Sequence, residues 1–403
     1  MTVVTPLPDG ATLFHIGPQK TGTTALQRVA AAHRELLLRH GVRYPGDTVN
    51  HRLAVAALVG KPVGWKAGPD GRPTPPPPIR LWEDLVEEVR SDPVNRVWLS
   101  HEYGAGAGPA QARRAAADLG DRLHVVVTLR SIARMLPSIW QETNKAAGNR
   151  GTFDNWLRKL FDDGSEVSRK IRARHDQGAL LRRWAEAVGP ERVTAIVLDP
   201  TDHTFLFRTF EQLLELPDGL LAAVDTGDDR ANRSLTVAEI ELLRRFNRQF
   251  RSHDTDWSQY DRLVVRGAVF RLLKFRNPPA GEPQLAMPGW AAELADEAAR
   301  RNADQVAASG VRIIGDPAWL ALPARRRSSA AEDHRTVEQI PIDLAVEAML
   351  GLAAAGIGRE IDFSQPPPAN PFTSYTAREL ATELGSRGVR RLKDTLTRTE
   401  RKR

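Results

Sequence analysis

The chain has 403 residues, 41% of them hydrophobic, and a formal charge of +7; this is enough for one large α/β core or two smaller ones. It contains no cysteine, which excludes disulfides and thiolate metal sites. Aromatic residues make up 6% and no basic run is interleaved with them, a poor match to nucleic-acid binding. The basic balance, with arginine far above lysine, fits both a GC-rich coding bias and attraction of anionic ligands.

Residues 1–10 lack the basic-then-apolar pattern of a secretion signal. No apolar run reaches the roughly 20 residues that span a bilayer; Ile342 to Gly358 comes closest and is broken by Asp343 and Glu347. A soluble, cytoplasmic protein is expected. Ala11 to Ile16 reads as a short buried strand and Ala25 to Arg34 as a helix, joined by Gly17-Pro18-Gln19-Lys20-Thr21-Gly22-Thr23-Thr24. Strand, glycine-rich turn and helix form the layout of a phosphate-binding loop. Glycines let an anion approach the backbone, and the N–H groups of the first helical turn point at it. Gly17 and Gly22 have the spacing of the G-x-x-x-x-G-K-[ST] triphosphatase loop. Thr23, however, stands where that loop has its lysine, and the lysine sits earlier, at Lys20. From the turn it can meet a bridging oxygen rather than a terminal phosphate.

Gly41 and Pro45-Gly46 mark a helix end and a turn. His51 to Leu58 starts a second short helix, and His51 at its start is a candidate for facing a substrate. Residues 61–80, with Pro75 to Pro78, read as a surface loop. Leu81 to Arg90 has helical spacing. Val97 to Ser100 reads as a strand that ends in His101-Glu102-Tyr103-Gly104. Because the carboxyl ends of parallel strands carry the ligand site, this titratable cluster is a catalytic candidate, with Tyr103 beside it for substrate. Ala110 to Leu119 is the next helix. Val125 to Leu129 is a continuous apolar run, as in a central parallel strand. It ends in Arg130, with Ser138 eight residues on, where a triphosphatase usually carries an aspartate for Mg²⁺. An arginine fork and a hydroxyl suit a second phosphate instead.

The run Pro18-Gln19-Lys20-Thr21-Gly22-Thr23-Thr24 closely resembles the 5′-phosphosulfate loop of sulfotransferases, P-K-T-G-T-T in that family, with Gln19 inserted. Arg130 and Ser138 are similar to that family's Arg-x7-Ser pair, which binds the 3′-phosphate of the donor 3′-phosphoadenosine-5′-phosphosulfate (PAPS). The resemblance covers about residues 12–320. Asn232 to Glu239 is also similar to a segment of the bacterial members. The Arg-Lys-Gly contact found late in the eukaryotic cytosolic enzymes is missing, which leaves the late 3′-phosphate contacts unassigned. The resemblance implies a PAPS-dependent transfer of a sulfuryl group to a hydroxyl or amine of a carbohydrate, glycolipid or small-metabolite acceptor, without a metal. Gly17, Gln19, Lys20, Thr21, Gly22, Thr23, Thr24, Arg130 and Ser138 are expected to bind the donor, and Lys20 to neutralise the departing phosphate. At the corresponding strand end the family uses either histidine or glutamate as the base; the Ser-x-Glu form of Ser100-His101-Glu102 favours Glu102, with His101 second. His51, Tyr103 and Gln141 are the candidates for the acceptor. The alternatives are a P-loop kinase or triphosphatase, and a PAPS-binding protein without transferase activity.

Further along, residues 141–180 read as polar helix and loop, Leu180 to Val188 as a helix, and Val193 to Leu198 as a buried strand. Phe205 to Leu216 and Leu235 to Phe250 follow as helices. Arg262 to Arg276 is a basic helix in which Arg266, Arg271 or Lys274 is a candidate for a further phosphate contact. Val311 to Asp316 reads as a late strand and turn. This alternation predicts an α/β fold with a parallel central sheet flanked by helices, in one P-loop domain over 1–323. Residues 324–403 are expected to form a linker and a helical, basic C-terminal appendage, in which 376–403 is either a basic amphipathic helix that docks on the domain or on an anionic membrane surface or a solvated tail.

Overall fold

The computed structural model describes residues 4–148, 151–222, 233–253, 255–326 and 337–357. Six strands form one sheet: β1 (Thr12–His15), β2 (Val42–Arg43), β3 (Arg96–Ser100), β4 (Leu123–Leu129), β5 (Val193–Val197) and β6 (Arg312–Ile314), in the order β2-β3-β1-β4-β5-β6. Every pairing is parallel. The central strands are buried on both faces, which is why they read as largely apolar runs rather than alternating ones. The loop after β1 therefore emerges at the middle of the sheet's carboxyl edge. The end of β3 lies on one side of it and the end of β4 on the other, where the direction of chain crossing reverses.

The two-residue period of a strand divides the sheet's side chains between two cores. Phe14, Leu99, Val125 and Val127 point to one face and pack with α4 (Arg80–Arg90), α5 (Pro109–Leu119) and α9 (Gln177–Val188). Leu13, Trp98, Val126 and Ile196 point to the other and pack with α1 (Thr23–Ala32) and α10 (Phe205–Leu214). Short helices α2 (Arg34–Arg39) and α3 (Arg52–Leu58) bracket β2. A third, all-helical core joins α6 (Ile132–Lys145), α7 (Phe153–Phe161), α11 (Val237–Phe250), α12 (Trp257–Tyr260), α13 (Phe270–Phe275) and α14 (Gly289–Ala307); α12 and α13 are joined by a π-helical stretch, Asp261–Val269.

Several elements differ from the sequence reading. The polar region 141–180 holds two further helices, α7 and α8 (Glu166–His175), capped by Thr152 and Ser165. The 61–80 loop is pinned by Trp65, which is buried, donates Nε1–H to Ala146 O, and packs against Trp257 and Tyr260. The first compact unit runs Met1–Ala353. It continues past residue 323: Ala324 N–H bonds Asp296, and Asp343 and Glu347 of α15 (Ile342–Ile357) pair with Arg276 and Arg271. Of the second unit, Ala354–Arg403, only the end of α15 is described; the basic tail expected over 376–403 lies outside the described residues. Among those described, no helix is long and apolar enough to cross a membrane.

Candidate functional site

The β1 loop is fixed from beneath by a relay of hydrogen bonds. His15, Ser100 and Thr128 lie on one face of neighbouring strands: His15 is paired with Ser100 and with Val126, and Thr128 is two residues further along. Thr21 Oγ1–H donates to Pro18 O at 2.6 Å. Since a hydroxyl has one proton, the 2.7 Å contact between Thr128 and Thr21 must be donated by Thr128. His15 Nε2–H then donates to Thr128 Oγ1 at 3.1 Å, and Ser100 Oγ–H donates to His15 Nδ1 at 3.0 Å. Gln27 Nε2–H donates to Ser100 Oγ, and Asn50 Nδ2–H to Gln27 Oε1. The proton count thus fixes His15 as the neutral Nε2–H tautomer, and burial lowers its pKa to about 3. Gly17 lies directly over this relay: a Cβ there would come within 1.8 Å of Thr128 Oγ1. Gly22, at φ 82°, caps α1 with its Cβ direction filled by Leu206.

Above the relay the loop presents donors. Among the described residues no hydrogen bond engages the N–H groups of Gly17, Gln19, Lys20 or Gly22, and the first N–H groups of α1, from Thr23 and Thr24 on, adjoin them. Lys20 is held at φ 72°, a left-handed conformation that costs a non-glycine residue about 1–2 kcal/mol. Its ammonium lies 2.6 Å from Glu142 Oε1 on α6, and Lys145 lies 2.9 Å from the same oxygen. Burial alone would raise the Glu142 carboxyl, but Lys145 and Lys20 hold it down to about 2. Two ammonium groups thus share one carboxylate, leaving one positive charge in excess beside the loop.

At the β4 end Arg130 is exposed, and its guanidinium makes no hydrogen bond or ion pair with the described residues. Partial burial, then Arg134 and Arg325, make its charge less favourable. Its backbone is fixed: Gln177 Nε2–H donates to Arg130 O, and Ser131 ties the start of α6 to Leu322 O. Ser138, half-buried on α6, follows Pro137, which removes the helical bond to the carbonyl of Ala133.

At the β3 end the chain turns into a short 3₁₀ helix, Glu102–Gly106, capped by His101. His101 Nδ1 accepts from Tyr103 N–H at 3.2 Å, so the proton of the neutral ring is on Nε2, which lies 3.4 Å from Glu102 Oε2. Burial, with Arg52 and Lys61 nearby, lowers His101 to about 3. The neutral ring therefore lies beside Glu102 without bonding to it and has no available lone pair of its own. Glu102 remains partly exposed.

Other expected residues lie elsewhere. His51 is buried with both ring nitrogens engaged: Ser100 N–H donates to Nδ1 at 3.0 Å, and Nε2–H donates to Pro45 O at 3.1 Å. It ties α3 to the β3 end and is not available to a substrate. Gln141 is likewise closed, its side-chain amide making both bonds to the backbone of Leu235. Arg266 pairs with Asp261, Arg271 with Glu347, and Lys274 lies over the rings of Phe270 and Phe275, so each of the three is engaged within its own helical region. The sequence reading missed Thr128, which looks like any strand threonine, and Glu142, whose role depends on how α6 passes the loop.

No protein-family model matches the chain, and no curated protein matches it. Among solved structures it is similar to a sulfotransferase from Alicyclobacillus acidocaldarius, at 16% identity and a TM-score of 0.39, over 63% of this chain and 95% of that one. At that level the likeness assigns no chemistry to this chain. Among the described residues, no three His, Asp or Glu side chains gather as a metal site.

Proposed function

We propose that the chain is a sulfotransferase that takes its sulfuryl group from PAPS and transfers it to a hydroxyl or amine of a carbohydrate, glycolipid or small-metabolite acceptor. When bound, PAPS supplies a sulfuryl group whose leaving group is a phosphate. The N–H groups of Gly17, Gln19, Lys20 and Gly22, with Thr23 and Thr24 opening α1, hold the 5′-phosphate. Arg130 and Ser138 hold the 3′-phosphate. Lys20, exchanging Glu142 for the bridging oxygen, neutralises the charge that develops as the bond breaks. Glu102 receives the acceptor's proton.

The observation that carries this reading is the arrangement around the β1 loop. An unengaged arginine follows β4 on one side and a carboxylate beside a neutral histidine follows β3 on the other. A triphosphatase would have an acidic magnesium ligand at the β4 end. Calorimetry in EDTA tests the reading. Adenosine 3′,5′-bisphosphate is expected to bind, and ATP far more weakly. Arg130→Ala is expected to cost about 1.5–3 kcal/mol, the range for a hydrogen bond to a charged group. Magnesium-dependent ATP binding of equal strength would overturn the proposal.

A further inference from the structure

Beside Glu102 lies a second feature that the donor loop does not explain. Lys61 follows α3, and its Nζ sits 3.3 Å from the centroid of the Tyr103 ring. The ring of Tyr103 stands edge-on to His101, with centroids 4.4 Å apart. Arg174, on α8, closes on the same 3₁₀ turn: its Nε lies 3.3 Å from where a Cβ of Gly106 would stand. Arg52, at the start of α3, completes the group. All three cations are half-buried, and Glu102 is the carboxylate among them. No carboxylate of the described residues lies within salt-bridge distance of any of the three. Clustered cations normally have counter-charges beside them, whereas this cluster keeps a positive excess next to the proposed base, on the side of the loop opposite Arg130.

We propose that Lys61, Arg174 and Arg52 form the acceptor's recognition site, and that the acceptor carries an oxyanion (a carboxylate, sulfate or phosphate) that they neutralise. The inference rests on the sulfotransferase reading, since it takes Glu102 as the group that faces the acceptor. Arginine supplies a planar fork for an oxyanion and lysine a point charge on a flexible stem. The Tyr103 face holds Lys61 until the anion arrives. Burial, then Arg174, lowers Lys61 to about 7, with Arg52 and Lys66 acting in the same direction and Glu102 opposing. An arriving anion favours the protonated amine, so its binding is coupled to proton uptake and weakens as pH rises through about 7. The groups facing Lys61 are Arg52 on α3, Lys66 on the following loop, Arg174 on α8, and His101, Glu102 and Tyr103 at the β3 end.

The test uses the whole chain with sodium sulfate and sodium acetate as probes, against sodium chloride at equal ionic strength. The readout is the acylation rate of each lysine by an amine-selective ester at neutral pH, resolved by peptide mass spectrometry. Lys61 is expected to react fastest in chloride. At an anion concentration about ten times its dissociation constant, the unbound fraction, and with it the Lys61 rate, falls about tenfold. Arg174→Gln is expected to remove that protection, and Lys20→Met to leave it intact. Protection by sulfate but not acetate assigns a tetrahedral oxyanion; protection by both assigns a carboxylate as well. A Lys61 rate unchanged by either anion in the unsubstituted chain overturns the proposal, as does protection that survives Arg174→Gln but not Lys20→Met. Failure of adenosine 3′,5′-bisphosphate to bind while Lys61 remains protected overturns the donor reading alone and leaves the oxyanion site standing.

Discussion

Thr128 supports the loop through a single hydroxyl that accepts from His15 and donates to Thr21. Thr128→Val keeps the shape and leaves the His15 Nε2–H buried without an acceptor. The expected loss is about 1–3 kcal/mol of stability, the cost of a buried unsatisfied donor. Thr128→Ser keeps the relay and is expected to stay close to the unsubstituted chain. Urea unfolding decides: equal midpoints for the two variants would mean that the hydroxyl does no structural work. Proton positions also distinguish the two candidate bases. With His101 Nδ1 occupied by Tyr103 N–H, Glu102 is the group with a lone pair to offer. Glu102→Gln is expected to lower turnover by about 10²–10⁴-fold, the usual contribution of a general base, with adenosine 3′,5′-bisphosphate affinity nearly unchanged. A fully active Glu102→Gln alongside a dead His101→Ala would reverse the assignment, and a paired measurement of rate and affinity separates these outcomes from misfolding.

Among the elements, the strand–loop–helix from Thr12 to Ala32 was the most legible in the sequence, because everything that makes it a loop is local: two glycines, a lysine, and an apolar run before them. Arg130 was readable for the same reason, standing where an apolar run stops. What was not readable depends on how elements meet. Glu142 reads as a solvated helix residue until α6 is laid beside the loop, and Lys61 as a loop lysine until α8 brings Arg174 to it. His51 and Gln141 were misread in the opposite direction, since their sequence neighbours do not reveal that Ser100, Pro45 and Leu235 take up their polar atoms. The two-residue β2 is too short to leave a pattern, and α14 is rich in alanine, whose weak contrast hides a buried face. Gly17 shows how tightly the loop is set on the sheet. Gly17→Ala inserts a methyl into the Thr128 hydroxyl, so the loop must lift from its relay. Adenosine 3′,5′-bisphosphate binding is expected to fall by at least about tenfold, the equivalent of one hydrogen bond to a charged group. Undiminished binding by calorimetry would mean that the loop tolerates displacement.

For the whole molecule, acid is the condition to which the interior is least suited. Burial lowers His15, His101 and His175 to about 3, and His51 and His124 to about 4, against an unfolded value of about 6.5. Between those limits the unfolded chain binds protons that the folded chain refuses, so stability is held above about pH 6.5 and is lost as pH falls toward 4. Glu142, held near 2, adds a loss of the same sign once pH drops below the ordinary carboxylate range. Urea midpoints are expected to fall steadily from pH 7.5 to pH 5; a flat profile would mean that the buried rings gain no protons on unfolding. The strand order also has a consequence for synthesis. β1 leaves the ribosome before both of its neighbours, and the hydroxyl that completes its loop lies 107 residues after Thr21. A growing chain must therefore carry a strand that becomes fully buried, with no backbone partner until β3 has cleared the exit tunnel and with one edge open until β4 follows. Over that interval the segment that becomes the centre of the sheet has an unpaired edge, open to wrong pairing.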